Sequence, residues 1–396
     1  MTDGTVYCVW VSRALGAGHF IASEAVRQSG SAEAFYHAVQ QKNGFYLRLT
    51  EQQRGRVKAL SLESAYEVVN DCDKKGIDIL TIDNVSYPER LRSIYAPPVV
   101  LYMKGRSIDF IRHVSIGMVG SRRMTDYGAK ASYRISRELA ASGAVVVSGL
   151  ALGIDACAHR GALDAGGLTA AVLGCGLDVV YPPENEALMK EIETKGLLIS
   201  EYTPGVPPLS RHFPARNRIL AGLCDGVCVV EAPQKSGALI TASLALEQGR
   251  DIFAVPGSIF SSASEGPLRL LREGAIPVGG ANDILLEYEG VRRDKLMAQG
   301  RTDWYDAAVY NPAASQEQPG DARQMPAMLA PTLPDRLSRQ AVVIYAALST
   351  GKKHLDQLAA EAGLSSAAAM SALTELELEE LARAHPGGCY SLLGEQ

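Results

Sequence analysis

Apolar residues change their spacing at several points along this chain, and the changes divide it. From residue 1 to about 74 they recur at mixed three- and four-residue intervals, most clearly over Glu24–Gln41 and Glu51–Val69. That spacing belongs to amphipathic helices and predicts a small helical N-terminal domain over 1–74. Between 75 and 112, Ile77–Leu80 and Val99–Tyr102 read as short strands, and Tyr87-Pro88 and Pro97-Pro98 break helix between them. From 113 to 288 compact apolar blocks take over: Val114–Val119, Ala144–Val147, Leu168–Leu173, Leu197–Ile199, Val227–Val230, Ile252–Val255 and Ile276–Val278. They lack two-residue alternation, as strands covered on both faces do. Helical stretches fall between them at Tyr127–Ala141, Asp155–Ala165, Glu184–Lys195, Arg216–Leu223, Gly237–Gln248 and Pro267–Arg272. The alternation predicts an α/β fold over 75–288, a doubly wound, mostly parallel sheet. Its functional crevice is expected beyond the carboxyl ends of the strands.

Periodicity fades over 289–333, where Pro312, Pro319, Pro326 and Pro331 sit among Gln, Ala and Asp, a linker composition. Helical spacing returns at Leu337–Leu348, His354–Ala362 and Ser366–Glu379, and Gly387-Gly388 turns a hairpin ending in Cys389–Leu393. Three helices and a hairpin predict a winged helix over 334–396.

Composition changes this picture in few places. The 396 residues suffice for two to three domains, and 47% apolar with 21% charged residues is ordinary globular composition. Lys and Arg number 39 against 44 Asp and Glu, a net charge of -5. A globally basic nucleic-acid coat is excluded, while a local basic cleft needs only a few cations. Seven cysteines, an odd count without a CxxC pair, read as small buried hydrophobes in a reducing cytosol rather than as a disulfide or metal set. Met1-Thr2-Asp3-Gly4 carries no basic leader, and no apolar run reaches bilayer length. The expectation is a cytoplasmic protein with no membrane span and no metal.

Four corners of the sheet carry candidate chemistry. The first strand ends in Gly120-Ser121-Arg122-Arg123, where glycine permits close backbone approach, the next helix opens free amides and Arg122 adds a charged fork. A tight turn with a surface arginine fits the same residues. The second strand ends in Ser148-Gly149-Leu150-Ala151-Leu152-Gly153-Ile154-Asp155, which is not GxGxxG, and Gly174-Cys175-Gly176 is only a GxG, so a nicotinamide cofactor is disfavoured. Arg211-His212-Phe213-Pro214-Ala215-Arg216-Asn217-Arg218 places three arginines around an aromatic with no acid among them. Cations track phosphates and an exposed ring can stack on a base. The other reading is a helix start whose arginines pair with Glu201 or Glu231. Lys235-Ser236-Gly237 opens a further helix but lacks the G-x-x-x-x-G of a Walker A loop. Together the corners suggest a phosphate-lined crevice. No nucleophile stands beside a base, and His159 and His212 read as structural histidines. Leu15-Gly16-Ala17-Gly18 faintly suggests a helix-hairpin-helix turn for DNA backbone, and reads more simply as an interhelical turn.

In order, Val119-Gly120-Ser121-Arg122, the Ser148–Asp155 stretch, Phe213–Ile219 and Ser236-Gly237-Ala238-Leu239-Ile240-Thr241-Ala242 resemble the DNA-processing protein A family, DprA or Smf. Gly249-Arg250 and Val255-Pro256-Gly257 extend the resemblance across about 77–287. It implies a Rossmann-like domain that binds and protects single-stranded DNA during natural transformation, loads the RecA recombinase onto it and acts as a homodimer, without catalysis or cofactor. The family's DNA pocket, carried over, comprises Ser121, Arg122, Phe213, Arg216, Asn217, Arg218, Lys235, Ser236 and Gly237. Charge and position add Arg211, and Gly149 belongs to the same corner set. One departure is Leu268, where the family's Ser-x-Gly-x-Asn pattern has Asn.

The winged helix is less suited to duplex DNA. Over 334–392 five cations face seven carboxylates, a charge of -2, and Ser365–Met370, the expected recognition stretch, has no Arg, Asn or Gln to read bases. A protein-interaction or accessory role is expected there. The alternative function is a Rossmann-like phosphoribohydrolase acting on a nucleoside monophosphate. Such enzymes use a G-G-x-G-T-x-x-E loop, and here Lys235–Leu244 holds no carboxylate before Glu247.

Overall fold

Helices with one apolar stripe need a partner surface, and the N-terminal helices find theirs in one another and in the sheet. The computed structural model describes residues 3–288 and, beyond them, 338–348, 353–362, 364, 366–378, 381–385 and 389–392. The expected linker at 289–333 and the Gly387-Gly388 turn lie outside the described residues. The first helices are α1 (Asp3–Leu15), α2 (Phe20–Ser29), α3 (Ala32–Gln41), α4 (Glu51–Ala59) and α5 (Glu63–Lys74). Both long helical stretches expected from spacing are therefore broken. Gly30, at φ 86°, ends α2, and the Ser31 side chain caps α3 by accepting from the Ala34 amide. Leu60–Leu62 separates α4 from α5, held by the indole N–H of the buried Trp10, which donates to the Leu60 carbonyl at 2.7 Å. Residues of these helices share one apolar cluster with Tyr102, Ala171, Leu173 and Leu198.

The sheet is built from β1 (Asp78–Thr81), β2 (Val100–Gly105), β3 (Ser115–Val119), β4 (Val145–Ser148), β5 (Leu168–Leu173), β6 (Leu197–Ser200), β7 (Gly226–Val229), β8 (Asp251–Ala254) and β9 (Ile276–Pro277). Their order is β1-β2-β6-β5-β4-β3-β7-β8-β9. The pairs β1–β2 and β2–β6 are antiparallel, and every later pair is parallel. Every residue of β3, β4, β6 and β7 is buried, the reason their apolar blocks show no alternation. The short helix α6 (Glu89–Arg92) precedes β2; α7 (Asp126–Ala141), α8 (Ile154–Asp164), α9 (Glu186–Lys195), α10 (His212–Leu223), α11 (Gly237–Glu247) and α12 (Glu265–Arg272) follow between strands, and α13 spans 281–288. One apolar cluster joins α6, α10, α11 and α12 to the sheet. Another joins α7, α8 and α13 to it. Helix α10 starts four residues ahead of the predicted Arg216. Pro214 lies in its first turn, where the missing amide has no intrahelical partner to lose.

Strand order reverses beside β3. The chain runs from β3 outward through β4 and β5 on one side, then returns to place β7 and β8 on the other. Loops leaving β3 and β7 therefore diverge, and the gap between them is where α/β sheets take ligands.

The C-terminal unit carries α14 (Arg339–Leu348), α15 (Leu355–Ala362) and α16 (Ser366–Leu378), with β10 (Lys353–His354), β11 (Ala382–His385) and β12 (Cys389–Leu392) paired in the order β10-β12-β11. Ile344, Leu348, Leu358, Leu373, Leu376 and Tyr390 form its core. It is a winged helix. Among the described residues no helix is long and apolar enough to cross a membrane.

Candidate functional site

A crevice of about 740 Å³ opens where the β3 and β7 loops part. Its walls are the loop Gly120–Arg123, the first turns of α10 with Phe213, Pro214, Arg216 and Asn217, and the segment from Pro233 through Lys235 and Ser236 to Ala238. Of the residues expected from sequence, Ser121, Arg122, Phe213, Arg216, Asn217, Lys235, Ser236 and Gly237 line it. Gly149 adjoins a smaller hollow of about 50 Å³ beneath Phe213. Arg211 is the exposed N-cap residue of α10, and Arg218 is turned into a buried pair.

The β3 loop is tied down from below. The Ser121 amide donates to the Glu231 carbonyl at 2.7 Å, and the Thr125 amide donates to the Glu231 carboxylate at 2.9 Å. The Thr125 hydroxyl donates to the other carboxylate oxygen and also caps α7 by accepting from the Gly128 amide. Glu231 is buried. The Ser121 hydroxyl closes the turn, donating to the Arg123 carbonyl at 2.8 Å and accepting from its amide at 3.1 Å. Arg122 and Arg123 are left exposed at the rim.

Arg216 forms part of the floor. It is 6% exposed. Its guanidinium donates to the Gly149 carbonyl at 3.0 Å and to the Val172 carbonyl, and its Nε donates to the Asn217 side-chain oxygen at 3.1 Å. A Cβ at 149 would stand 2.5 Å from the guanidinium, so a side chain there would displace Arg216 from these carbonyls. Gly153, at φ 79°, likewise lets the β4 loop pass the β3 loop, since a Cβ would meet the Ser121 carbonyl at 2.3 Å. Asp155 accepts from the amides of Gly149 at 3.1 Å and Ala151 at 3.4 Å. Burial pushes its carboxyl above the usual range, against the pull of the Arg216 charge. Burial also lowers Arg216. His159, buried behind this floor with Nδ1 2.7 Å from the Thr169 hydroxyl, is pushed down to about 3 and stays neutral.

Arg218 resolves one alternative left open by the sequence. Its Nη2 donates to both Glu201 carboxylate oxygens at 2.8 Å, with both side chains less than one tenth exposed. Glu231 takes Thr125 instead of an arginine. His212 is bonded through Nδ1 to the Gly174 carbonyl at 3.1 Å and stacks on Tyr202 at 4.1 Å.

Phe213 is half-buried. The Arg122 guanidinium lies 5.4 Å from its ring centroid and the Tyr181 ring 5.3 Å away. Gly174 leaves the space beneath, since a Cβ there would stand 3.1 Å from the ring. Lys235 is exposed on the facing wall, where the Ser236 hydroxyl caps α11 by accepting from the Ala238 amide at 3.3 Å. Sequence reasoning missed Arg123, Asp155, Tyr181, Ser210 and Ser262 as lining residues. Arg123 was legible as half of a doublet, and Asp155 as the end of the quoted motif. Tyr181 carried no local signal, because only the fold brings it to Phe213. Among the described residues lining the crevice, Asp155 is the sole carboxylate, and none is a histidine or cysteine. Leu268 lies elsewhere, in a separate depression with Leu239, Ile259 and Leu271.

A family model described as DNA recombination-mediator protein A matches residues 78–289, and one described as DprA winged helix domain matches residues 328–388. DNA processing protein DprA of Streptococcus pneumoniae is 49% identical over 203 residues, 51% of this chain and 71% of that protein. Protein Smf of Synechocystis sp. is 36% identical over 367 residues, 89% of each. The X-ray structure of DNA processing protein A from Streptococcus pneumoniae superposes with a TM-score of 0.53 at 37% identity, covering 68% of this chain and 98% of that one.

Proposed function

The chain belongs to the DNA recombination-mediator protein A family, and from that premise we propose that its crevice holds single-stranded DNA. The protein then protects the strand and loads the RecA recombinase onto it, in natural transformation and recombination, as a cytoplasmic, non-enzymatic mediator. The observation that carries this reading is the grouping of exposed Arg122, Arg123 and Lys235 around the half-buried Phe213 ring. Cations at a rim attract phosphates, and an aromatic face accepts any base. A duplex hides its base faces, so the platform favours an unpaired strand. The non-enzymatic reading rests on the side chains at hand. Asp155 is the one carboxylate among the described residues lining the crevice, and one of its oxygens is held by two backbone amides.

We further propose that it acts as a homodimer through the sheet domain. Ile240 and Leu246 on α11, with Ile259 and Phe260 beyond β8, are large apolar side chains left 46% to 94% exposed. A second copy would remove them from water. Sedimentation of Phe260→Arg at several concentrations tests this, the variant dissociating more readily than the parent.

The site reading is tested by anisotropy of labelled single-stranded and duplex oligonucleotides across a salt series. The expected result is a preference for the single strand that weakens steeply with salt. Absent binding, or a preference for duplex, overturns it.

A further inference from the structure

The residue ahead of Phe213 is held by a closed set of contacts set back from the crevice. His212 opens α10, is 8% exposed, and lines neither the crevice nor the hollow beneath Phe213. Its Nδ1 lies 3.1 Å from the Gly174 carbonyl, and because a carbonyl only accepts, Nδ1 carries the proton. Its ring lies 4.1 Å from the Tyr202 ring at an inclination of 19°, and Tyr202 is also buried. Gly174 follows β5 and Tyr202 follows β6, and Ser200 joins the two. The Ser200 hydroxyl donates to the Cys175 carbonyl at 2.7 Å and accepts from the Tyr202 amide at 3.0 Å. The ends of two strands thus hold one imidazole, one by a hydrogen bond and the other by a ring face.

The same contacts reach Phe213. A Cβ on Gly174 would lie 3.6 Å from His212 Cβ and 3.1 Å from Phe213 Cδ1, so the backbone that accepts from His212 also lies against the phenyl ring. Behind Tyr202 stands the turn between α1 and α2. A Cβ on Gly18, at φ 80°, would lie 3.4 Å from the Tyr202 hydroxyl and 3.0 Å from Ala215 Cβ. That turn backs Tyr202 and the first turn of α10 together. The first amides of a helix lack intrahelical partners, so the path of His212 and Phe213 depends on contacts of this kind.

We propose that His212 is a positioning residue for strand capture: held by Gly174 and Tyr202, it sets where the Phe213 ring stands and so governs the grip on an unpaired base without touching the strand. The proposal rests on the single-strand reading of the crevice and deepens it. A ring adds to binding where its face meets a base in van der Waals contact. A gap of about 1 Å forfeits up to half of that attraction, so a small drift of α10's first turn is enough to weaken capture.

The test is a double-mutant cycle on the full chain, read by anisotropy of a labelled oligothymidylate across a salt series, with urea unfolding to show which variants fold. His212→Ala is expected to raise Kd about fivefold with the salt slope unchanged. His212→Asn, whose amide N–H can take the place of Nδ1 against the Gly174 carbonyl, is expected to restore most of the affinity. In a Phe213→Ala background His212→Ala should cost nothing further, because the ring it positions is gone. Tyr202→Leu keeps apolar volume and removes the stacked face. It gives a smaller loss that likewise vanishes in Phe213→Ala, and it carries the cycle if His212→Ala does not fold. An equal loss in both backgrounds overturns the proposal, since His212 would then act on the fold at large. Parent-like affinity in a folded His212→Ala, or in Tyr202→Leu should the first not fold, also overturns it. Either result leaves the crevice reading standing. A parent protein that binds no single strand takes both readings down.

Discussion

Arg122 and Arg123 stand in solvent on the β3 loop, whereas Arg216 and Arg218 on α10 are 6% and 7% exposed. All four come from the two short segments richest in arginine around the crevice, and their formal charge is the same. A solvated guanidinium can displace counterions from an arriving phosphate. A buried one has exchanged water for fixed protein partners, and its removal strands those partners. Rim and floor should therefore answer different experiments: the rim a salt titration, the floor an unfolding curve.

The largest effect belongs to the floor. Arg218→Ala leaves the Glu201 carboxylate buried without its cation and should cost about 3–5 kcal/mol in urea unfolding. The double change Arg218→Met/Glu201→Gln should recover most of that loss, and failure to recover would separate the pair from the stability it is assigned. Next comes Arg216→Ala, which strands the carbonyls of Gly149 and Val172 for roughly 2–3 kcal/mol. Its discriminating result is an unchanged salt slope for single-stranded DNA; a reduced slope would move Arg216 from floor to rim. Phe213→Ala should weaken strand binding by roughly 1–3 kcal/mol, again without altering the slope. The smallest change in affinity is that of Arg122→Ala, a few-fold at low salt. It alone should lower the magnitude of the slope, by roughly 0.7 for one phosphate. Parallel salt lines for Arg122→Ala and the parent would erase the distinction between the two regions.

Much of the sheet was legible because burial on both faces leaves a plain mark. The apolar block Leu168–Leu173 coincides with β5 to the residue, and the other parallel strands match their blocks within one residue at either end. Helix ends were less legible where one residue overrides the pattern: Gly30 splits an otherwise continuous spacing, and Pro214 masks a helix that already runs through it. At the site, the Ser121-Arg122 corner and the Lys235-Ser236-Gly237 corner showed their character locally. The division between Arg216 and Arg218 did not. Residues two apart lie on nearly opposite sides of a helix, so one reaches the ends of β4 and β5 while its neighbour reaches Glu201. Which side holds a carboxylate is a property of the fold. Tyr181 was invisible for a related reason, being 32 residues from Phe213 in sequence and 5.3 Å from it in space.

Glu231 gives the β3 loop a further property, one of time rather than of energy. Its carboxylate accepts two donors from Thr125, while its own carbonyl accepts the Ser121 amide. The loop is thus stitched to the end of β7 by groups of this chain alone. Under the proposed function, an incoming strand would meet a loop backbone already held in place, with no ordering of that loop needed between encounter and capture. Association should then run at a pace set by diffusion and ionic strength, and differences in residence time among strands should arise on departure, from the rings their bases must leave.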